Sequence, residues 1–108
     1  MAPSRSVLPQ RIASVEVSAP DAVERGGEFE ATFRALDADG NPVGALLPVE
    51  MRLLDATGKE IGGGWMAAED GVCTARFETN LDDPDGSYRI ECCDRASGLA
   101  AARAIRRR

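Results

Sequence analysis

The stretch EFEATFRA at residues 28–35 decides the fold class. Its apolar residues fall at every second position and are separated by polar ones: Phe29, Ala31, Phe33 and Ala35. A helix repeats every 3.6 residues and would spread these side chains around its axis, whereas a strand turns alternate side chains to opposite faces. The stretch is therefore predicted to be a β-strand with one buried face.

Shorter stretches with the same alternation lie on both sides of it. Their predicted inward-facing residues are Ala13, Val15, Val17 and Ala19; Val49, Met51 and Leu53; Cys73, Ala75 and Phe77; and Tyr88, Ile90 and Cys92. Turn-forming Gly, Pro, Asp and Asn separate them at roughly ten-residue intervals. A last, alanine-rich strand at about 99–105 has faces that the pattern does not assign. Seven or eight short strands without a helical period predict an antiparallel β-sandwich.

The predicted domain covers residues 12–106. A flexible arm precedes it at residues 1–11, and a basic tail follows at 107–108. Within it, the glycines at 62–64 are expected to break or bend the chain, because glycine weakens a strand interior. The arginines at 106–108 are expected to form a solvated tail, with contact to an anion as the alternative.

Charge excludes several classes of function. The 108 residues carry a formal charge of −5 and no histidine. Residues 12–102 hold 7 basic against 18 acidic groups, hence −11, so a nucleic-acid-binding face is not expected. The lack of histidine removes the commonest general base and metal ligand. No apolar run is long enough to span a membrane, and residues 1–9 do not read as a signal peptide.

Two acidic loops are the most metal-like stretches. Asp37 and Asp39, followed by Gly40 and Asn41, carry carboxylates two residues apart that can converge on Ca²⁺, with Asp94 expected near the same end of the sandwich. An ordinary turn explains the same residues and is favoured, since the Glu of an EF-hand loop is missing. The loop at 82–85 receives the same interpretation.

Three cysteines leave a disulfide open. Alternation turns Cys73 and Cys92 inward near one end of the sandwich, where they form either a bridge or two small buried apolar residues, the favoured alternative. Cys93 is expected to point outward. Without histidine or a Cys-x-x-Cys pair, neither a zinc site nor a cysteine nucleophile is expected.

Two aromatic residues have functional and structural explanations. Trp65 and Tyr88 suit a sugar-stacking platform, but for Trp65 a place in the core or in an interface is favoured. Tyr88, after Asp85-Gly86-Ser87, resembles the tyrosine corner of Greek-key sandwiches, in which the hydroxyl bonds backbone upstream. No nucleophile motif or phosphate-binding loop is present, and a small sandwich offers little room for a two-carboxylate cleft. The chain is predicted not to be an enzyme, with no catalytic, cofactor-binding or metal residues and no cofactor.

Longer stretches resemble a known class of domain. Residues 20–29 and 36–43 are similar to the opening of bacterial immunoglobulin-like modules. Residues 53–60, 77–88 and 94–98 are similar to accessory sandwich domains of large secreted bacterial proteins, including glycoside hydrolases and macroglobulin-like chains. The resemblance implies a single antiparallel Greek-key β-sandwich of the immunoglobulin-like type. It departs from antibody domains at Ile90, where they place their second cysteine.

The resemblance implies a non-catalytic spacer or docking module, part of a larger exported bacterial protein. Its expected partner is protein, either other domains of the parent chain or another subunit, without nucleic acid or membrane insertion. One alternative is a carbohydrate- or calcium-binding accessory module, and another is a homo-oligomerisation domain that pairs through an exposed strand edge. An extracellular or periplasmic location follows from the resemblance, while the three cysteines and the missing leader leave a cytosolic one open.

Overall fold

The computed structural model describes residues 12–108, so the predicted arm at 1–11 lies outside the described residues. The described chain forms eight strands: β1 (Ser14–Ser18), β2 (Ala22–Val23), β3 (Glu28–Leu36), β4 (Leu47–Leu54), β5 (Glu60–Ala68), β6 (Val72–Glu78), β7 (Tyr88–Asp94) and β8 (Ala100–Arg107). No helix in this part of the chain is long and apolar enough to cross a membrane.

The strands form two sheets packed face to face. One sheet has the order β1-β3-β6, and the other has the order β2-β8-β7-β4-β5. All pairings are antiparallel except the short pairing of β2 with β8. The predicted all-β, immunoglobulin-like sandwich with seven or eight strands is confirmed.

The core lies between the sheets and is supplied by the predicted alternation. In β3 the residues Phe29, Ala31, Phe33 and Ala35 are all buried, as the opening pattern predicts. From the opposite sheet, β4 and β7 contribute Val49, Met51, Leu53, Tyr88, Ile90 and Cys92. Phe29 and Phe77 stack with ring centroids 5.5 Å apart, which fixes the register of β3 against β6 from the inside.

The β4–β5 hairpin is closed by a buried carboxylate. Asp55 accepts the backbone N–H of Thr57 at 2.8 Å and of Lys59 at 3.1 Å, and the Thr57 hydroxyl donates to it at 2.6 Å. These bonds, with the Thr57 hydroxyl first among them, lower the pKa of Asp55 below its usual value. The Asp55–Gly58 turn thus closes the β4–β5 hairpin.

The break expected at residues 62–64 is wrong, because β5 runs through all three glycines. At Gly63, where φ is +120°, the backbone of β5 lies close to the backbone of β4. A Cβ on Gly63 would overlap the carbonyl oxygen of Met51. The pairing of β5 with β4 shifts register between Leu53 and Leu54 but is not interrupted.

The solvated tail expected at residues 106–108 is wrong at Arg107. Strand β8 extends through Arg107, whose side chain is only 3% exposed. Its guanidinium donates to Asp85 at 2.8 Å and to the carbonyl of Leu81 at 2.8 Å. Arg108 follows with a backbone bond to Val23. Arg107 belongs to the fold because a carboxylate and a carbonyl oxygen of the neighbouring loop accept hydrogen bonds from its guanidinium.

Candidate functional site

Trp65, the single tryptophan, lies on the solvent side of the edge strand β5 and is 60% exposed. The expected core position for this ring is therefore wrong, and the interface alternative remains. Among the described residues, the only other large apolar side chains that are exposed are Leu46 at 68% and Leu81 at 66%. Trp65 and Leu46 border the same shallow apolar depression of about 320 Å³, which Leu47 and Met66 also line.

The pairing register shows what shares a face with Trp65. One row across the sheet runs from β5 to β8 through Trp65, Glu50, Cys93 and Ala100, and the next runs through Gly63, Arg52, Glu91 and Ala102. Directly paired residues point to the same side of a sheet. We call these eight residues, together with Arg89 and Ala104 of the following row, the five-stranded face.

The five-stranded face is shaped by small residues along one edge and a large ring along the other. Three alanines of β8, at positions 100, 102 and 104, stand outward and are exposed. A concavity of about 540 Å³ lies over β4, β7 and β8, with Cys93 half-buried in it. The face is therefore low at β8 and high at Trp65.

The charges on this face pair with one another. Arg52 lies 3.4 Å from Glu91 and 3.6 Å from Glu60, and Arg89 donates to Glu91 at 2.8 Å. The guanidinium of Arg95 sits over the Trp65 ring, 5.7 Å from its centroid. The charged residues of the face itself are two acids and two bases, Glu50, Glu91, Arg52 and Arg89, and Glu60, Arg95 and the exposed Arg106 of β8 lie beside it. The face has no net charge although the chain carries −5.

The first acidic loop uses its carboxylates to build turns. One oxygen of Asp37 accepts the backbone N–H of Asp39 at 2.9 Å and of Asn41 at 3.0 Å. Asp94, which is fully buried, accepts the N–H groups of Ala96 and Ser97. Across residues 12–108, no three Asp, Glu or Cys side chains gather as a metal site would require. The geometry fits the turn explanation of this loop and does not bring Asp94 to Asp37 and Asp39.

The second acidic loop is held by Tyr88 and two arginines. The Tyr88 hydroxyl donates to the Asp83 carboxylate at 2.5 Å, so the expected bond to upstream backbone is replaced by one to a side chain. Burial first, and then this carboxylate, raise the pKa of Tyr88. Asp85 pairs with Arg25 at 3.5 Å and with Arg107. The loop is thus fixed to β7 and β8 by its own acids.

All three cysteines are free thiols. Cys73 on β6 and Cys92 on β7 both face the core, as alternation predicts, and the structure places them on opposite sheets. Burial raises the pKa of Cys73, and burial together with the nearby Cys73 raises the pKa of Cys92 to about 12. The structure corresponds to the alternative of two small buried residues rather than a bridge.

Several features of the five-stranded face could not be predicted from the sequence. The β8 alanines gave no face assignment because alanine occurs on both sides of a strand. The Arg52–Glu91 pair joins residues far apart in sequence, and only the β4–β7 register brings them together. The outward position of Trp65 could have been predicted from the sequence. Glu50 and Arg52 alternate with the buried residues of β4 and so mark its outer side, and the hairpin turn at Asp55 places β5 alongside β4.

Comparison with known proteins shows the fold. The crystal structure of the CARDB domain of the PF1109 protein from Pyrococcus furiosus, in complex with di-metal ions, matches with a TM-score of 0.55 and 17% identity, covering all of both chains. A solution structure of that domain gives 0.49 at 20% identity, over 87% of this chain and 92% of that one. A β-glucosidase from Listeria innocua in complex with glucose gives 0.44 at 14% identity, over 86% of this chain and 16% of that one.

Sequence comparison adds no relative. No protein-family model matches the chain, and no curated protein matches it significantly. Of these three structures, the first alone has a TM-score above 0.5, and at 17% identity it shows the fold. The chain has the fold of a CARDB domain, an immunoglobulin-like sandwich.

Proposed function

We propose that this protein is a non-catalytic immunoglobulin-like module that docks a protein partner on its five-stranded face. The observation that carries the proposal is the exposed Trp65 at the rim of that face. Protein interfaces are enriched in tryptophan and arginine, and their hot spots centre on such residues. Here one tryptophan and three arginines, Arg52, Arg89 and Arg95, stand together on one side of the sandwich.

The acidic groups and thiols are occupied in ways that suit a non-catalytic role. Asp37, Asp55 and Asp94 bind backbone N–H groups of their own loops. A thiolate is the reactive form of cysteine, and the raised pKa of Cys92 makes its thiolate harder to form than that of an ordinary cysteine. These groups support turns and the core rather than chemistry.

Carbohydrate binding is the second candidate, favoured by the exposure of Trp65. A sugar needs a free ring face for stacking, and the Arg95 guanidinium already covers one face of this ring. The β8 alanines offer no hydrogen-bonding side chains to hydroxyl groups. Protein docking therefore accounts for more of the face. A glycan array read with the Trp65→Ala variant separates the two: array binding that this variant loses favours carbohydrate.

The CARDB domain of PF1109 was crystallised with di-metal ions, but nothing in residues 12–108 of this chain gathers three carboxylates or thiols. We do not extend metal binding to it. Membership of a larger exported protein stays a proposal supported by the resemblance of its turns to accessory domains.

The test is photo-crosslinking from each side of the sandwich. A photoreactive amino acid is placed at Ala102 on the five-stranded face, or at Thr74 on the opposite outer side as the matched control, and each variant is expressed in the cells that encode the protein. We expect protein–protein adducts from position 102 and few from position 74. Equal yields from both positions, or none, would contradict docking on this face. Turnover of an ester or glycoside panel that is lost on mutating one acid would contradict the non-catalytic assignment.

A further inference from the structure

Resting on the proposed function, we propose that the partner on the five-stranded face is a second copy of this chain. The two copies pack face to face around a two-fold axis that runs along the strands, midway between β4 and β7. Homodimers with this symmetry are the commonest oligomers, and they require a surface that complements itself. The register of the five-stranded face meets that requirement.

The two-fold axis exchanges β4 with β7 and β5 with β8 while keeping each row in place. In the first row, Trp65 then lies over Ala100 of the second copy. The large ring at the high edge meets the small residue at the low edge, and the same contact occurs twice by symmetry. The tryptophan thus fills space that the β8 alanines leave open.

The second row places opposite charges across the same axis. Arg52 lies over Glu91 of the second copy, and Glu91 lies over the second copy's Arg52. Within one chain these two residues are already 3.4 Å apart, so the dimer brings two pairs together into a four-membered cluster of alternating sign. Such complementarity sets register and excludes wrong arrangements.

The overall charge favours this face over the other for self-association. Two copies at −5 each repel one another. The outer side of the three-stranded sheet adds to that repulsion, because it carries four acids and two bases: Glu16, Glu28, Glu30, Glu78, Arg34 and Arg76. The five-stranded face has no net charge, and its complementary rows can approach without this penalty.

The size of the face sets the expected affinity. Four strands about 4.8 Å apart and six residues rising about 3.4 Å each give a face roughly 20 Å on a side. An interface of that size is at the small end for protein pairs. We expect a reversible dimer with a dissociation constant of about 100 µM.

The test is a charge exchange followed by sedimentation equilibrium at low salt. Arg52→Glu places a carboxylate opposite Glu91 across the axis, and Glu91→Arg places a guanidinium opposite Arg52. We expect each variant alone to weaken the dimer by about tenfold or more. In an equimolar mixture, both cross-axis pairs become opposite in sign, and a heterodimer at least as tight as the native dimer is expected. Arg76→Glu and Glu28→Arg, a matched ion pair on the three-stranded sheet, leave dimerisation unchanged.

Folding is checked by far-UV circular dichroism, and Trp65→Ala gives an independent variant that touches no charge. It is expected to weaken the dimer about 30-fold, as loss of an interface hot spot does. A dimer indifferent to these substitutions forms through another surface, such as a strand edge, and overturns the proposal. A chain that stays monomeric up to about 1 mM overturns it as well. If such a monomer still crosslinks to another protein from position 102, docking on this face stands and only the second copy is wrong.

Discussion

The two outer sides of this sandwich are built from the same kind of alternating strand, and yet they differ in how much apolar surface they expose to solvent. On the three-stranded side, polar side chains form hydrogen bonds with one another across neighbouring strands. Thr32 and Thr74 share a hydrogen bond of 3.0 Å, and Arg76 donates to Glu28 at 2.9 Å. No large apolar side chain is exposed on that sheet. Polar pairing of this kind completes a surface for contact with water.

The five-stranded side leaves apolar surface uncovered. Trp65 is exposed at one edge, and alanines occupy the outward positions of β8 at the other. Exposed apolar patches bordered by charges mark interaction sites. The difference teaches that the inward positions determine the fold, whereas the proposed function rests on the outward positions of one sheet.

The shape of the five-stranded face depends on Gly63, and its substitution is expected to have the largest effect on stability. In Gly63→Ala the new Cβ would overlap the Met51 carbonyl oxygen, in a backbone region that side chains rarely adopt. We expect a loss of about 3 kcal/mol or more in the free energy of unfolding, measured by urea denaturation.

Gly40→Ala is the matched control for this substitution. Gly40 also has a positive φ, but a Cβ there meets nothing within 4 Å. Its expected cost is about 1 kcal/mol, from backbone strain alone. Equal costs at the two positions would show that the close approach of β5 to β4 does not shape the face.

The inner side of the five-stranded sheet is expected to respond to alkaline pH through Cys92. Below pH 9 the Cys92 thiol is protonated in both the folded and the unfolded state, so the stability that its burial contributes is fully present. The unfolded thiol loses its proton near its ordinary pKa of 9.0, while the folded one keeps it up to about 12. Between these values the free energy of unfolding falls by up to about 1.4 kcal/mol per pH unit.

Urea denaturation from pH 8 to pH 11 under reducing conditions measures this slope. We expect the slope to be shallower in Cys92→Ala than in the native chain. Cys93→Ala is the control, since Cys93 points to the outer side of the same strand. An unchanged slope in Cys92→Ala would mean that burial of this thiol does not govern the alkaline transition.

The smallest effect on stability is expected from Trp65→Ala. The ring is exposed, and its described contact is with the Arg95 guanidinium, worth about 0.5–1 kcal/mol at a surface. We expect a change in the free energy of unfolding of about 1 kcal/mol or less, measured at a dilution where the dimer is absent. Phe33→Ala in the core should cost about 3–5 kcal/mol. A cost for Trp65→Ala that approaches the core value would place the ring in the fold rather than in an interface.

The fold could be predicted from the sequence because burial imposes alternation on it. In β3, Phe29 and Phe33 are large and apolar between polar neighbours, so the two-residue period is visible and predicts which residues form the core. The C-terminal end of β8 could not be predicted, because the sequence does not show that Arg107 pairs with the carboxylate of Asp85.

The site was harder to predict than the fold. Its rows join residues of four strands, and their contacts depend on register, which turns and bulges set. Trp65 could be singled out as a rare aromatic residue, but its exposure depends on the position of β5 at the sheet edge. The glycines at 62–64 were predicted to break the chain because the sequence does not show how closely β5 approaches β4.

Because Trp65 is the only tryptophan, its fluorescence tests the docking face most directly. Acrylamide quenching of the full chain is measured from about 1 µM to about 1 mM, a range that spans the expected dissociation constant. We expect strong quenching at low concentration, and weaker quenching with a blue-shifted emission as a second copy covers the ring. Equal quenching across the range would contradict self-association through this face, and protection at every concentration would contradict a free Trp65.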